Sequence, residues 1–128
     1  MASGLVRRTF VFYSSIDGTT TVEERMLPHS PSREIDIRRY VEEALLGPVS
    51  PDSASLFPQE TRLRSLLYRD GVVYADLSEA AVLPSPEGGD VFRNLYTLEA
   101  GIRRNFSFVR DIKLFIAGHE VQSASMEE

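Results

Sequence analysis

Residues 62–77 read Arg-Leu-Arg-Ser-Leu-Leu-Tyr-Arg-Asp-Gly-Val-Val-Tyr-Ala-Asp-Leu, and they contain the clearest structural signal in the sequence. Two runs rich in apolar side chains flank Asp70 and Gly71. An Asp-Gly dipeptide readily adopts the positive φ angles of a two-residue hairpin turn. The stretch therefore predicts two antiparallel strands, over residues 62–69 and 72–77, joined by this turn.

The turn also fixes the register of the hairpin, and with it the side chains that share a face of the sheet. The predicted cross-strand pairs are Tyr68–Val73, Leu66–Ala75 and Arg64–Leu77 on one face, and Leu67–Tyr74 and Ser65–Asp76 on the other. Each face therefore carries some apolar side chains.

A strand and a helix are predicted ahead of the hairpin. Residues 9–13 are β-branched or aromatic and run into a turn, which is typical of a short strand. A polar stretch at residues 19–21 follows, and Ser30 can then cap a helix that begins at Pro31 and ends near Leu46. The apolar residues that share one face of this helix are Ile37, Tyr40, Val41, Ala44 and Leu45.

A second helix and a last strand follow the hairpin. Asp90 can cap this helix, and Gly101 near its end permits close packing. The apolar face of the helix consists of Val91, Leu95, Leu98 and Ile102. The last strand covers residues 109–116 and ends before Gly118, and its residues on one face are Ile112, Leu114 and Ile116.

Two irregular segments complete the chain. Residues 48–60 have no periodicity and predict a loop, in which Leu56 and Phe57 pin the chain inward. Residues 83–90 hold two prolines and two glycines and predict a flexible surface loop.

These elements predict an α+β fold in the order β-α-β-β-α-β. Two helices, each with one apolar stripe, are buried most simply when both pack on one face of a four-stranded mixed sheet, in a two-layer sandwich. A chain of 128 residues suits one domain, which we place at residues 9–121. Residues 1–8 and 122–128 are then expected to be flexible termini.

Composition narrows the classes of function. A net charge of -5 opposes binding to a phosphate backbone, so we expect no nucleic-acid partner. The absence of cysteine excludes a disulfide, a thiolate nucleophile and a zinc-thiolate site. No signal peptide or membrane span is visible, so a membrane would be reached only through an anchor outside this chain.

Five motifs, in order and spacing, resemble the GerMN domain of sporulation and spore-germination proteins. They are Leu45-Leu46-Gly47-Pro48, residues 58–63 (Pro-Gln-Glu-Thr-Arg-Leu), residues 70–78 (Asp-Gly-Val-Val-Tyr-Ala-Asp-Leu-Ser), Asn94-Leu95-Tyr96-Thr97-Leu98, and Val109-Arg110-Asp111-Ile112 leading to Ile116-Ala117-Gly118. The resemblance covers residues 10–121. The chain departs from the family pattern in its proline-rich loop at 83–90 and in Ala75, where a larger aliphatic residue is usual.

The resemblance implies an extracytoplasmic module of the periplasm or cell surface, usually carried by lipoproteins or membrane-anchored proteins of bacteria. It also implies a build similar to the ring-building motifs of secretion and sporulation assemblies. It brings no catalytic activity and no cofactor. A peptidoglycan-related or ligand-binding role has been supposed for the family.

The residues themselves give little support to catalysis or metal binding. His29 and His119 are the only histidines, and neither has a second histidine at ligand spacing. Asp76 and Glu79 could act as an acid and base pair, but a carboxylate at a strand end more often accepts hydrogen bonds from a turn. Serine nucleophile and phosphate-loop patterns are missing, so we expect no enzyme, no metal and no cofactor.

Two polar features are weighed as structural or functional. Asn94 and Thr97 in the second helix can hydrogen-bond a neighbouring loop, which we favour over a role in binding. A basic group could meet an acidic partner or could simply be solvated, as most such groups are. This group consists of Arg103, Arg104, Arg110 and Lys113.

The second face of the sheet carries the leading functional hypothesis. If both helices pack on the opposite side, Leu63, Leu67, Tyr74 and Phe115 stay uncovered unless the loops at 48–60 and 83–90 fold over them. We expect this face or a sheet edge to mediate self-association or docking to another envelope protein. The alternatives are a peptidoglycan, carbohydrate or other small-ligand binder, and a small hydrolase. The candidate binding residues are Leu63, Leu67, Tyr74, Asp76, Asn94 and Thr97.

Overall fold

The hairpin around Asp70 and Gly71 is the centre of the fold in a computed structural model that describes residues 4–83 and 90–121. The strands and helices are β1 (Leu5–Ser14), β2 (Thr20–Pro28), α1 (Arg33–Leu46), β3 (Ser53–Ala54), β4 (Leu63–Arg69), β5 (Val72–Leu77), a 3-10 helix (Glu79–Val82), α2 (Val91–Asn105), β6 (Asp111–Ile116) and β7 (His119–Val121). Asp70 and Gly71 both have positive φ, at 54° and 82°, as the turn prediction requires. The α+β class is confirmed.

The register of the hairpin is confirmed at four of its five predicted pairs: Tyr68–Val73, Leu66–Ala75, Leu67–Tyr74 and Ser65–Asp76. The fifth pair is wrong, because Leu63 and not Arg64 lies opposite Leu77. A bulge between Leu63 and Ser65 adds one residue to β4. The bulge leaves Arg64 outside the ladder, with its guanidinium 3.2 Å from the Asp76 carboxylate.

The hairpin belongs to a four-stranded mixed sheet with the order β4-β5-β6-β7. Strands β5 and β6 are parallel, and the other neighbours are antiparallel. The predicted last strand is confirmed as β6, although it begins at Asp111 and not at residue 109, and the turn at Gly118 follows it. The chain then turns back as β7, which sequence analysis missed, through a tight turn in which Ala117 and Gly118 have positive φ.

A second sheet has the order β2-β1-β3. The predicted strand at 9–13 is confirmed as part of β1, but it lies in this second sheet and not in the four-stranded sheet, whose fourth strand is β7. Residues 5–8 continue it instead of forming part of a flexible terminus. Strand β2 was missed, since its alternation is hidden by Glu23 and Arg25, which point inward and pair with each other at 2.6 Å. The two-residue β3 lies inside the predicted loop at 48–60 and pairs with β1.

Both helices begin at a side chain that caps their first turn, and the predicted start of α1 is wrong by two residues. Helix α1 is capped by the Ser32 hydroxyl, which accepts from Ile35 N, so the predicted start at Ser30 and Pro31 is two residues early. The Ser30 hydroxyl instead accepts from Ser32 N. Helix α2 is capped by Asp90, whose carboxylate accepts from Phe92 N at 2.9 Å, as predicted.

The helices and the two sheets share one hydrophobic core. Helix α1 packs on β4 and β2, and α2 packs on β1. At its centre Tyr40 stacks on Phe10, with 4.6 Å between ring centroids, and meets the edge of Phe106. A Cβ at Gly101 would collide with the Tyr40 hydroxyl, so the predicted close packing at this glycine is confirmed.

The end of α2 is fastened to β1 by a side-chain amide. Asn105 Oδ1 accepts from Thr9 N, and Asn105 Nδ2 donates to Thr9 O, both at 2.9 Å. This pair of bonds has the pattern that a neighbouring strand would supply.

The other segments follow the predictions where they are described. Leu56 and Phe57 are buried, as the inward-pinned loop requires. In the predicted loop at 83–90, residues 84–89 lie outside the described part of the chain, as does the predicted flexible segment 122–128. No helix within residues 4–83 and 90–121 is both long and apolar enough to cross a membrane.

Candidate functional site

The outer face of the four-stranded sheet holds three of the six candidate residues. Val73, Ala75 and Leu77 of β5 are buried, so the alternating residues of that strand point away from the core. In the resulting rows, Leu67 lies beside Tyr74 and Tyr74 beside Lys113, while Asp76 lies beside Phe115. We call the surface formed by Leu67, Tyr74, Asp76, Lys113 and Phe115 the outer sheet face.

The apolar part of the outer sheet face is open to solvent. Leu67 is 43% exposed, which is high for a leucine in the middle of a strand. Tyr74 and Phe115 are half-buried. The described part of the 48–60 loop does not close over Leu67, because its apolar residues Leu56 and Phe57 belong to the core instead.

Asp76 is held by two neighbours on the same sheet. Its carboxylate lies 3.2 Å from Arg64 and accepts a hydrogen bond from Gly118 N at 3.0 Å. The interpretation of Asp76 as a strand-end turn acceptor is therefore confirmed, with the β6–β7 turn as the donor. Glu79, considered as its acid-base partner, is an exposed residue of the 3-10 helix.

Leu63 does not lie on the outer sheet face. The bulge in β4 turns it to the side of Leu77, where it is half-buried and packs against the core. The prediction that Leu63 stays uncovered on the second face is therefore wrong, because the extra residue reverses the side on which it points.

Asn94 and Thr97 lie on α2, away from the other candidates. Asn94 is buried, and its Nδ2 donates to the carbonyl of Leu56 at 2.7 Å. This confirms the predicted bond to a neighbouring loop. The Thr97 hydroxyl lies 2.6 Å from the Tyr13 hydroxyl of β1 and 3.1 Å from Arg93 O, so it joins a helix to a strand and not to a loop. The six candidates thus do not form one site.

Two residues of the basic group, Arg103 and Lys113, form ion pairs with Asp111. Arg103 and Lys113 lie 3.7 Å and 3.8 Å from the Asp111 carboxylate. Arg110 Nη2 donates to Asp70 O at 2.7 Å and packs on Gly71, so it fastens the hairpin turn. The positive charge that remains is spread over the surface, and we assign it no ligand.

His29 and the buried charges of Arg8 and Asp36 form a structural network, whereas His119 is an exposed residue of β7. His29 Nδ1 lies 2.9 Å from the Asp36 carboxylate, and Arg8 lies 3.5 Å from the same carboxylate. Burial lowers the pKa of Arg8, which Asp36 opposes, and burial raises the pKa of the Tyr40 hydroxyl well above its usual range. Within the described residues, no three His, Cys, Asp or Glu side chains are grouped as metal ligands.

A cavity of about 420 Å³ at the end of α1 was missed by sequence analysis. Its apolar lining consists of Leu45, Leu46 and Leu63, and its polar lining of Glu42, Gln59 and Arg62. Thr61 completes the wall. A second, smaller cavity shares Glu42 and Leu46 with it.

Comparison with known proteins places the fold in a family. The family model described as Germane: Sporulation and spore germination matches residues 10–122. The chain belongs to this family. The first GerMN domain of the sporulation protein GerM from Bacillus subtilis is 25% identical, with a TM-score of 0.64 over 91% of this chain and 86% of that one. No curated protein gives a significant match.

Two other solved structures are similar to this chain in fold. A candidate lipoprotein from Clostridium perfringens is 18% identical, with a TM-score of 0.58 over 96% of this chain and 84% of that one. The tandem GerMN domains of GerM from Bacillus subtilis are 20% identical, with a TM-score of 0.62 over 91% of this chain and 41% of that one.

Two GerMN motifs that are separated by residues 49–57 meet at the 420 Å³ cavity. Leu45 and Leu46 belong to the motif that ends α1, while Gln59, Thr61 and Arg62 belong to the motif that enters β4. Ser78, which ends a third motif, holds the second one in place: its hydroxyl accepts from Arg62 N at 2.9 Å and its N donates to Arg62 O at 2.8 Å. The meeting of these motifs was the signal that could have located the cavity.

Proposed function

We propose that this GerMN domain is a non-enzymatic protein-interaction or assembly module of the bacterial cell envelope. Its docking surface is the outer sheet face. The observation that carries the proposal is the exposure of Leu67 beside the half-buried ring of Tyr74, with the half-buried Phe115 two strands away, on a sheet whose other face is buried in the core.

The composition of this surface suits contact with a protein. Aromatic side chains that are half-buried in the free protein need little further ordering when a partner covers them. Lys113, which is 43% exposed, and the ion pair of Arg64 with Asp76 give the apolar patch a charged rim. Apolar centres with polar rims are typical of protein interfaces.

Placement in the envelope is supported by the family and by its solved relatives. One relative is a domain of a sporulation protein, and another is a candidate lipoprotein. In this proposal an anchor or a larger chain carries the domain to the membrane, and the partner is an envelope protein or a second copy. Among the described residues, neither cavity has an aromatic residue in its lining, so a carbohydrate-binding role finds no specific support.

The first experiment is the solution mass of the purified chain over a range of concentrations, measured by light scattering. We expect the mass to rise from monomer toward dimer or larger species in the wild type. Leu67→Asp and Tyr74→Asp should abolish the rise, because each places a charge in the apolar centre of the interface. The matched control is Ile16→Asp, since Ile16 is 77% exposed in the turn between β1 and β2, outside the four-stranded sheet.

The measured mass distinguishes self-association of the domain from docking to another protein. A wild-type chain that stays monomeric would exclude self-association, and photo-crosslinking from position 67 in bacterial envelopes would then have to capture a protein partner. The proposal fails if folded Leu67→Asp and Tyr74→Asp leave the oligomeric state unchanged and Tyr74→Asp also leaves the crosslinking from position 67 unchanged.

A further inference from the structure

We propose that the 420 Å³ cavity at the end of α1 is a binding site for a short peptide. The peptide carries an apolar side chain between a positively charged group and a negatively charged one. The cavity lies within the size range of small-ligand sites. It is separate from the outer sheet face, so this inference does not depend on the proposed docking surface.

The apolar side chain of the peptide is accommodated by three leucines. Leu45 and Leu63 are half-buried and pack against the core, so they form a fixed floor. Leu46 is 77% exposed at the end of α1. A ligand that covers Leu46 removes apolar surface from water, which favours binding.

The charges of the peptide are complemented by two lining residues of opposite sign. Glu42 is an exposed carboxylate on α1, and Arg62 is an exposed guanidinium on the segment that enters β4. Arg62 Nη1 donates to the carbonyls of Gln59 and Thr61, at 3.0 and 3.1 Å, and the Arg62 backbone is held on both sides by Ser78. A guanidinium fixed in this way is ready to bind a carboxylate without further ordering.

Thr61 supplies an independent indication of a ligand. The residue is 1% exposed, and its hydroxyl has no hydrogen-bond partner among the described residues. A buried hydroxyl without a partner destabilises the fold, and such groups are uncommon. Rotation about χ1 between staggered positions can turn the hydroxyl toward a peptide N–H or carbonyl in the cavity that Thr61 lines.

The lining favours a peptide over a glycan. The described lining residues offer leucines and a pair of opposite charges, and none is aromatic. A neutral sugar would leave both Glu42 and Arg62 without a partner of opposite charge. A peptide with free amino and carboxyl groups satisfies both.

The test is a titration of the purified, isotope-labelled chain with the unblocked dipeptide leucyl-leucine, followed by amide chemical shifts. We expect saturable shifts confined to residues 42–46 and 59–63. The blocked dipeptide N-acetyl-leucyl-leucine amide should bind about tenfold more weakly, because it lacks both charges. Binding of N-acetylglucosamine oligomers at these residues, but not of the dipeptide, would overturn the proposal.

Variants identify the groups that bind. Glu42→Gln and Arg62→Gln should each weaken binding about tenfold, and Thr61→Val by a similar factor without lowering the midpoint of thermal unfolding. Arg39→Gln is the matched control, since Arg39 lines only the neighbouring cavity, and it should leave binding unchanged.

Three results contradict the peptide site: no saturable shifts, equal binding of the blocked dipeptide, or full binding by Thr61→Val. Leu67 does not line the cavity, so Leu67→Asp should bind the dipeptide as the wild type does. The peptide site and the docking surface can therefore fail independently of each other.

Discussion

The connector between α1 and β4 is built in two different ways along its length. In its first part, Glu23 accepts from Val49 N and Ser50 N, and Asn94 donates to Leu56 O. In its second part, which leads into β4, the buried Thr61 hydroxyl has no partner among the described residues. The first part has the satisfied polar groups of a structural element, and the second has the unsatisfied group that suggests a binding site.

The largest effect is expected at Asn94. Asn94→Leu keeps a side chain of similar size but leaves the buried Leu56 carbonyl without its donor. We expect the free energy of unfolding to fall by about 1–3 kcal/mol. Urea unfolding, with the slope against denaturant unchanged, measures this loss. A loss below about 0.5 kcal/mol would mean that the first part is not held as we describe, since that is the scale of ordinary surface changes.

A smaller effect that depends on pH is expected at Glu23. Burial alone would raise the pKa of Glu23, but the hydrogen bonds from Arg25, Val49 and Ser50 outweigh it and lower the pKa in the folded protein. The carboxylate therefore contributes stability above the unfolded-state pKa of about 4.3, and this stability is lost as the pH falls through the lowered pKa.

Glu23→Gln removes that contribution, and at pH 7 it should lower the free energy of unfolding by about 1 kcal/mol. The difference between the variant and the wild type should shrink as unfolding is measured at progressively lower pH. A difference that is the same at pH 7 and below the lowered pKa would show that charge is not its cause.

The smallest effect on stability is expected at Thr61. Thr61→Val removes a hydroxyl that has no partner, so stability should stay within about 0.5 kcal/mol of the wild type or rise. Thr97→Val is the matched control, because its hydroxyl contacts both Tyr13 and Arg93, and it should lose about 1 kcal/mol. Equal losses in the two valine variants would erase the distinction between the two kinds of threonine.

Local chemistry was sufficient to predict most elements of the four-stranded sheet and both helices. The Asp70-Gly71 turn determined the register of the hairpin, and the periodic apolar faces located α1, α2 and β6. Strand β2 escaped prediction because charged residues occupy its inward positions, where a period-two pattern is expected to be apolar. The error at Leu63 arose because a bulge leaves no pattern in the hydrophobic residues of β4.

The candidate sites were harder to predict than the elements. Leu67 and Tyr74 were correctly placed on one face because strand alternation is a local rule. The cavity at the end of α1 joins Leu46 to Arg62 across an irregular connector, whose path no periodicity predicts. The unpaired state of the Thr61 hydroxyl is a property of the packed chain alone.

The side-chain amide of Asn105, at the end of α2, hydrogen-bonds to β1 and so also limits where another strand can pair with this domain. An added strand would need the N–H and C=O of Thr9 on that side of β1, and Asn105 already occupies both. Strand-by-strand growth is therefore closed at that point and is left to the outer strands, such as β2 and β4. One side chain thus excludes the Thr9 stretch of β1 from any fibre-like or ring-like stacking of copies through backbone pairing.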